Sequence, residues 1–252
     1  MNGAVRPVCL VTGGARRIGR AIVQSLARDF DVAIHANTSI AEAEALAVEL
    51  ARGDGRARAF AADFSEPESA ARLVKDVAAH FGRLDLLVNS ASRFQYDQPS
   101  DFSAAAMQEM LAVNLVAQVT AARAFGEVGS QSATLINILD NKVFAPNPDF
   151  FSYSLAKFAL KGATDMLAQH YRGRMRVCGV APSNTLVSGD QTDAAFARAW
   201  TRTLTGAGPT PADISDTVRF IWSTKSINGE IIVLDGGQRL MSLERDVAFL
   251  PE

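Results

Sequence analysis

Short apolar runs alternate along the chain with longer segments whose apolar residues recur every three or four positions. The short runs predict buried strands, because an unbroken apolar run is typical of a parallel sheet that is covered on both faces. The strands are predicted at 8–12, 32–36, 58–62, 84–89, 134–139, 176–181 and 230–234. The amphipathic segments predict helices at 17–29, 40–52, 66–81, 103–125, 150–171 and 212–222.

This alternation of strands and helices predicts one α/β domain over residues 1–252, with a doubly wound parallel sheet and helices on both faces. Of the 252 residues, 48% are hydrophobic and 21% are charged, which suffices for a substantial core. The least regular segment, 183–211, is rich in Ala, Gly and Thr. A loop of that length is more often functional than incidental.

Composition narrows the classes of function. Lys plus Arg number 25 and Asp plus Glu number 27, so the net charge of −2 gives no general attraction to nucleic acid or to an anionic membrane. No apolar run is long enough to span a bilayer. We see no secretory signal, and Cys9 and Cys178 each lie in an apolar run, so we expect buried free thiols and a cytoplasmic protein. The histidines lack metal-ligand spacing, so no metal is expected.

A glycine-rich loop follows the first predicted strand. Residues 12–19 read Thr-Gly-Gly-Ala-Arg-Arg-Ile-Gly, and a helix is predicted directly after them. Glycines let the backbone approach a pyrophosphate closely, and the helix N-terminus offers free N–H groups to it. A turn that only connects strand and helix is the alternative. Its place after the first strand favours nucleotide binding.

The end of the second strand indicates which nucleotide is bound. An acidic residue there usually holds the ribose of NAD, whereas this strand is followed by Asn37, Thr38 and Ser39. Arg16 and Arg17 add positive charge in the glycine loop. Together these features favour the 2′-phosphate of NADP(H). The alternative is that both arginines are solvated surface charges.

Tyr153 and Lys157 are four positions apart in a predicted helix, so their side chains face the same side. A nearby ammonium favours the tyrosinate, and we expect it to lower the pKa of Tyr153 toward neutral pH, as suits a general acid. A surface pair on the helix is the alternative. The order of the pair after a nucleotide-binding loop favours catalysis.

Together these residues resemble the short-chain dehydrogenase/reductase family over nearly the whole chain. The matching positions are the glycine loop, Asp63, the Asn-Ser-Ala-Ser run at 89–92, Asn114, Tyr153, Lys157, Pro182 and the Asp-Gly-Gly run at 235–237. The resemblance implies a single Rossmann-type domain, hydride transfer with a nicotinamide cofactor, and a homotetramer.

The resemblance also implies roles for individual residues. Asp63 would contact adenine, and Asn89 would steady the sheet edge beside the cofactor. Asn114 would anchor a proton-relay water near Lys157, which would itself bind the nicotinamide ribose. The plainer alternatives are a helix cap, a turn residue and a buried amide. The cofactor-binding positions that it implies are Gly13, Arg16, Arg17, Ile18, His35, Asn37, Thr38, Ser39, Asp63, Phe64, Asn89, Ser90, Ala91, Tyr153, Lys157, Pro182 and Ser183.

Three positions depart from the common family pattern. Arg17 replaces the middle glycine of the loop, Asp140 stands where a catalytic serine is usual, and Ser183 stands where a glycine is usual. The first two resemble the pattern of the pteridine reductases and of the bacterial dihydromonapterin and dihydrofolate reductases, which carry an arginine in the loop and an aspartate at the serine position. The His-x-x-x-Ser stretch at 35–39 is similar too, although the dihydromonapterin branch matches it less closely. Phe94 matches the position of an aromatic ring that stacks on the pterin, with a loop-packing ring as the alternative.

Asp140 indicates the type of bond that is reduced. An ionised aspartate only accepts hydrogen bonds, so it would repel a developing alkoxide and suits an N–H-rich substrate with a C=N bond. A dihydropterin is such a substrate, and its flat ring can stack on Phe94. We therefore expect NADPH to deliver hydride to a ring carbon and Tyr153 to protonate the nitrogen. The catalytic residues are then Asp140, Tyr153, Lys157 and Asn114, and the substrate-binding residues are Arg17, Ser92, Phe94, Asp140 and Tyr153.

Several alternatives remain open at this point. Asn141 supplies the donor instead of Asp140 if the alignment slips by one residue. A general carbonyl reductase acting on a ketone or a 3-oxoacyl group is a second enzyme hypothesis, against which Asp140 and Arg17 argue. A catalytically idle NADP-binding protein is a third, against which the retained Tyr153 argues. The apolar tail after Leu240, which ends in residues 248–252, docks on its own subunit, docks on a neighbour or is frayed, and the sequence does not decide.

Overall fold

The computed structural model describes residues 6–51, 55–189 and 191–250. Its strands are β1 (Val8–Val11), β2 (Asp31–Ala36), β3 (Ala57–Ala61), β4 (Leu86–Asn89), β5 (Ala133–Ile138), β6 (Met175–Pro182) and β7 (Ile231–Leu234). They form one parallel sheet in the order β3-β2-β1-β4-β5-β6-β7. The predicted α/β fold with a doubly wound parallel sheet is confirmed.

The helices of the described residues cover both faces of this sheet. They are α1 (Arg17–Leu26), α2 (Ile40–Leu50), α3 (Glu68–Phe81), α4 (Ala104–Leu111), α5 (Ala117–Val128), α6 (Phe151–His170), α7 (Asp193–Thr201) and α8 (Pro211–Ser223). Residues of α3, α5 and α6 join one core cluster, and residues of α1, α2 and α8 join another. None of the helices in the described part of the chain is long and apolar enough to cross a membrane.

The strands supply apolar side chains to both clusters by simple alternation. In β1, Val8 and Leu10 pack into the α3 side, whereas Cys9 and Val11 pack into the α1 side. Successive strand residues point to opposite faces, so a strand covered twice is apolar throughout. Cys9 and Cys178 are buried free thiols in the second of these clusters.

The strand order reverses beside β1, because β2 and β3 lie to one side of it and β4 to β7 lie to the other. The loops that leave the carboxyl ends of β1 and β4 therefore diverge. A crevice opens at such a switch point, and ligands of doubly wound sheets bind there. The predicted glycine loop leaves β1 at this crevice.

Two predicted elements differ from the structure. The helix predicted over 103–125 is divided into α4, a π-helical turn at Ala112–Val116 and α5. The segment 183–211 was predicted to be the least regular part of the chain and a long loop, but it contains α7, whose start is capped by the Thr192 side chain. Only Ala199 of α7 is buried, so the helix lacks the apolar stripe on which the prediction depended. Arg52, the predicted end of α2, lies outside the described residues.

Candidate active site

A cavity of about 480 Å³ lies at the carboxyl ends of β4, β5 and β6, between the glycine loop and α6. Many of the residues predicted from the sequence line it together. They are Gly13, Arg16, Arg17, Ile18, Ser90, Ser92, Phe94, Asp140, Tyr153, Lys157, Pro182 and Ser183. No group of three His, Cys, Asp or Glu residues within 6–51, 55–189 and 191–250 is placed to hold a metal ion.

Two positions of the glycine loop, Gly13 and Gly19, leave no room for a side chain. Gly13 has a φ of +63°, and a Cβ there would lie 2.9 Å from the Cα of Ala91. A Cβ on Gly19 would overlap the carbonyl oxygen of Gly13. The loop is thereby pressed against the end of β4, and α1 begins at the cavity. Its N-cap, Arg16, makes no side-chain hydrogen bond to the helix, and the first turn has no acidic residue, so the positive end of the helix dipole is uncompensated.

The two arginines of the loop lie in different surroundings. Arg16 is exposed and forms an ion pair with Glu42. Arg17 adopts a φ of +53°, a conformation that favours glycine, and its Nη1 donates to the carbonyl oxygen of Val187 at 2.7 Å. Arg17 therefore connects the glycine loop to the segment after β6.

The residues after β2 lie beside the glycine loop but outside the cavity lining. Asn37 and Thr38 are exposed, and the Asn37 Nδ2 donates to Asp63 Oδ1 at 3.1 Å. Asp63 also accepts the N–H of Ser65 at 2.9 Å, and its pKa is held below the usual value, chiefly by hydrogen bonds from Ser65. This is an exposed polar surface, as an adenosine end would require.

His35 and Phe64 support the loop from behind and do not line the cavity. The His35 Nδ1 accepts the N–H of Gly13 at 3.1 Å, and its Nε2 donates to the Ala62 carbonyl oxygen at 3.1 Å. The ring stacks on Phe64 with centroids 4.4 Å apart. Burial lowers the pKa of His35 to about 4, so the ring is neutral at pH 7. His35 therefore holds the backbone of Gly13, and Phe64 holds the ring of His35.

The neutral His35 predicts a measurable loss of stability in acid. Its pKa is 6.5 in the unfolded chain and about 4 in the folded protein, so the unfolded state takes up the proton first as the pH falls. This contribution is fully present above pH 6.5 and is lost toward pH 4, which amounts to about 2 kcal/mol between pH 7 and pH 5. Urea unfolding of His35→Gln should show a pH dependence that is smaller by this amount. The exposed His170→Gln is the control, and an unchanged dependence in His35→Gln would contradict the assignment.

Asp140 and Tyr153 are in direct contact. The Tyr153 hydroxyl donates to Asp140 Oδ2 at 3.0 Å, and Asp140 Oδ1 accepts the N–H of Lys142 at 2.9 Å. Lys157, one turn after Tyr153 in α6, donates from Nζ to the carbonyl oxygen of Ile138 at 2.8 Å. Its Nζ lies 5.6 Å from the centre of the Tyr153 ring. These three side chains bring one hydroxyl, one carboxylate and one ammonium to the cavity wall.

The pKa of Tyr153 shifts in the opposite direction from that predicted from the sequence. Burial, and then the adjacent Asp140 carboxylate, raise the pKa of Tyr153 well above its ordinary value. Burial also raises the pKa of Asp140, and it lowers the pKa of Lys157 to about 8. The predicted lowering of the Tyr153 pKa is therefore wrong for this site, because enclosure outweighs the ammonium. A tyrosine that keeps its proton at neutral pH can still donate it.

Asn114 and Asn89 are buried and lie behind the cavity. Asn114 Oδ1 accepts the N–H of Arg93 at 2.8 Å and the Ser92 hydroxyl at 3.1 Å, and its Nδ2 donates to the Arg93 carbonyl oxygen at 2.7 Å. Asn114 thus fixes the loop before Phe94. Asn89 Nδ2 donates to Asn137 Oδ1 at 2.9 Å and ties β4 to β5. The relay-water role of Asn114 stays a prediction.

Phe94 offers an aromatic surface at the cavity. It is 46% exposed, it stacks on Phe150 at 4.3 Å, and the Tyr153 ring meets it edge-on at 4.7 Å. Phe150 has a φ of +56° at the start of α6, which places its ring under Phe94. A flat ring stacked on Phe94 would lie beside the Tyr153 hydroxyl.

Sequence reasoning missed several residues of the lining. Lys142 comes from the turn after β5, Asn184 follows the predicted Ser183, and Gln238, Asp246 and Val247 come from the end of the chain. The Ser183 Oγ and the Asn184 Nδ2 are buried without a hydrogen-bond partner. Buried polar atoms are normally satisfied, and a polar ligand at the end of β6 would satisfy these two.

The chain is similar in sequence and in structure to known proteins. Residues 7–196 match the short chain dehydrogenase family. The structure of FolM alternative dihydrofolate reductase 1 from Brucella canis, complexed with NADP, superposes with a TM-score of 0.88 and 41% identity over 93% of this chain and 94% of that one. Pteridine reductase 1 of Leishmania tarentolae is 29% identical over 93% of this chain and 96% of its own. D-Threitol dehydrogenase of Mycolicibacterium smegmatis is 30% identical over 91% of this chain and 92% of its own.

Proposed function

The chain belongs to the short-chain dehydrogenase family, and from that premise we propose that it is an NADPH-dependent oxidoreductase that reduces a C=N bond of a pterin or dihydropterin. The observation that carries the proposal is the hydrogen bond from the Tyr153 hydroxyl to Asp140 Oδ2 at 3.0 Å. A carboxylate beside the proton donor disfavours a substrate whose oxygen becomes an alkoxide. It favours a substrate that presents N–H groups.

The residues present fit NADP(H). Gly13 and Gly19 leave no room for a side chain where a pyrophosphate would approach. The exposed surface after β2 has the amide of Asn37 where NAD-specific sites have an acid, and the glycine loop adds Arg16. Ser183 Oγ and Asn184 Nδ2, which have no hydrogen-bond partner among the described residues, would bind the carboxamide at the nicotinamide end of the cofactor. When bound, NADPH supplies the hydride. The NADP complex of the relative with 41% identity supports the same cofactor.

Tyr153 is placed to supply the proton. Its raised pKa keeps the hydroxyl protonated, and the ammonium of Lys157 near its ring favours the tyrosinate that remains after the transfer. In this structure the single proton of the hydroxyl is donated to Asp140, which holds the hydroxyl oxygen at the cavity wall. The proton turns from Asp140 to the substrate nitrogen when the ring is bound. Tyr153 and Lys157 are both buried at the cavity wall, so the pair is held in place by the surrounding core.

The substrate class is supported by the ring surface and by the relatives. Phe94 stacks with Phe150 and leaves an exposed ring beside Tyr153, which suits a flat bicycle. A dihydrofolate reductase and a pteridine reductase occur among the similar proteins. The similarity to D-threitol dehydrogenase keeps a general short-chain carbonyl reductase, acting on a ketone or 3-oxoacyl group, as the second candidate.

The proposal is tested by following NADPH oxidation with 7,8-dihydropterins, dihydrofolate, ketones and 3-oxoacyl thioesters. We expect turnover with the dihydropterins or dihydrofolate and little with the ketones. Turnover of ketones alone would replace the proposal with the carbonyl-reductase function. NADPH binding without turnover of any of these would favour the catalytically idle protein.

The assembly, the domain extent and the location in the cell also belong to this proposal. We propose a homotetramer of single-domain subunits spanning 1–252 in the cytoplasm, as the family resemblance and the composition imply. Light scattering of the purified protein measures the subunit number. A monomer at micromolar concentration would contradict the tetramer.

A further inference from the structure

The end of the chain forms part of the cavity wall. Residues 242–250, the C-terminal segment, include a short 3-10 turn at Val247–Phe249, and Asp246 and Val247 line the cavity. The Phe249 ring lies 5.0 Å from Tyr96 and 5.9 Å from Phe150. In the described residues, the apolar end therefore docks on its own chain. Pro251 and Glu252 lie outside the described residues.

A buried carboxylate fixes this segment in place. Asp149 has no exposed surface, and its two oxygens accept from Arg245 Nε at 2.8 Å and Nη2 at 2.7 Å. Asp149 Oδ2 also accepts the backbone N–H of Asp246 at 2.8 Å. Burial alone would raise the pKa of Asp149, but these donors hold it far below its usual value. The backbone of Asp246 is thus held by the hydrogen bonds that the buried charge requires.

The Asp246 side chain points at Lys142, which has no proton left to offer a ligand. Lys142 Nζ lies 2.8 Å from Asp246 Oδ2, 2.9 Å from Asn147 Oδ1 and 3.1 Å from the Asp149 carbonyl oxygen. An ammonium has three N–H donors, and these three partners use them. Asp246 Oδ1 accepts the N–H of Ala248 at 2.9 Å. Each Asp246 oxygen keeps a further lone pair, so this pair of residues can only accept from a ligand.

Asp246 and Asp140 act on the same part of the cavity. Lys142 connects them, because its backbone N–H is bound by Asp140 and its ammonium by Asp246. The negative charge of Asp246 contributes to the raised pKa of both Asp140 and Tyr153, behind the larger effect of burial. A ligand beside Tyr153 therefore meets two carboxylates and no free ammonium from Lys142.

We propose that Asp246 is a specificity-determining residue, which accepts a hydrogen bond from the amino group of the pterin ring while Asp140 serves Tyr153. The proposal rests on the proposed function. It assigns recognition of the substrate ring to the C-terminal segment. The glycine loop and the pair Asp140 and Tyr153 do not provide that recognition. Pterin should bind better than lumazine, whose ring carries a carbonyl in place of that amino group.

The test compares pterin and lumazine in fluorescence titrations of the full chain with NADP+ present, so that no turnover occurs. Asp246→Asn keeps the shape of the side chain but offers an N–H donor. We expect it to weaken pterin binding roughly tenfold and to reduce the preference for pterin over lumazine by at least that factor. With NADPH and a dihydropterin, KM should rise by a similar factor while kcat changes less than about threefold.

Glu244→Gln is the matched control, because it removes the same charge from an exposed position of the same segment. It should leave both affinities unchanged. If Asp246→Asn fails to fold beside Lys142, the double variant Lys142→Met, Asp246→Asn removes the ammonium as well. An unchanged preference in the folded variant would overturn the role of Asp246 alone, since pterin still binds. A wild-type protein that neither binds nor reduces any pterin would overturn the proposed function and this inference with it.

Discussion

Replacing Tyr153 by Phe should reduce kcat for a dihydropterin about a thousandfold, within the range for removal of a general acid. The change removes one oxygen atom, which lies 3.0 Å from Asp140 Oδ2, and with it the proton that this oxygen carries. The ring, its edge-on contact with Phe94 and the position of α6 are retained. The Kd for NADPH, measured by fluorescence titration, should change less than about threefold, so the loss belongs to the chemical step.

Tyr171→Phe provides the matched control for this measurement. Tyr171 is also buried and lies at the other end of the same helix, away from the cavity. It should retain wild-type kcat, and the thermal unfolding midpoints of both variants should show that they are folded. A Tyr153→Phe variant that keeps more than a tenth of the wild-type kcat would mean that the proton comes from elsewhere, and Tyr153 would lose its assigned role.

The sequence predicted the fold and part of the cavity because both depend on local signals. The apolar runs specify strands, the alternation with helices specifies a parallel sheet, and glycine spacing specifies the loop after β1. Asp140 and Tyr153, 13 residues apart, were both assigned to the site by the family resemblance, and the structure shows that they are in contact.

Other features depend on contacts that no local pattern encodes. His35 lies behind the glycine loop because the side of β2 on which it lies packs against Phe64, and this follows from the register of the sheet. Asp246 reaches the cavity only because Arg245 meets Asp149, nearly a hundred residues earlier. The raised pKa of Tyr153 is a consequence of burial, which the spacing of Tyr and Lys does not report.

Replacing Asp140 by Ala should lower kcat for a dihydropterin about a hundredfold and change the Kd for NADPH much less. Asp140 accepts from the Tyr153 hydroxyl and from the N–H of Lys142, so its loss frees the proton donor to rotate. A hydrogen bond to a charged group contributes about 1.5–3 kcal/mol, which corresponds to roughly ten- to a hundredfold in rate when it acts in the transition state. Stopped-flow measurement of a single turnover separates this effect from product release.

Two further variants decide whether Asp140 also selects the substrate. Asp140→Asn keeps the side chain's shape and one acceptor oxygen, so it should retain more activity than Asp140→Ala. Asp140→Ser restores the residue that the resemblance gives as usual, and its hydroxyl can donate to a ketone oxygen. We expect Asp140→Ser to raise the ratio of ketone to dihydropterin turnover at least tenfold. If all three variants keep the wild-type kcat and substrate preference, the carboxylate has no part in catalysis, and the pterin proposal loses the observation that carries it.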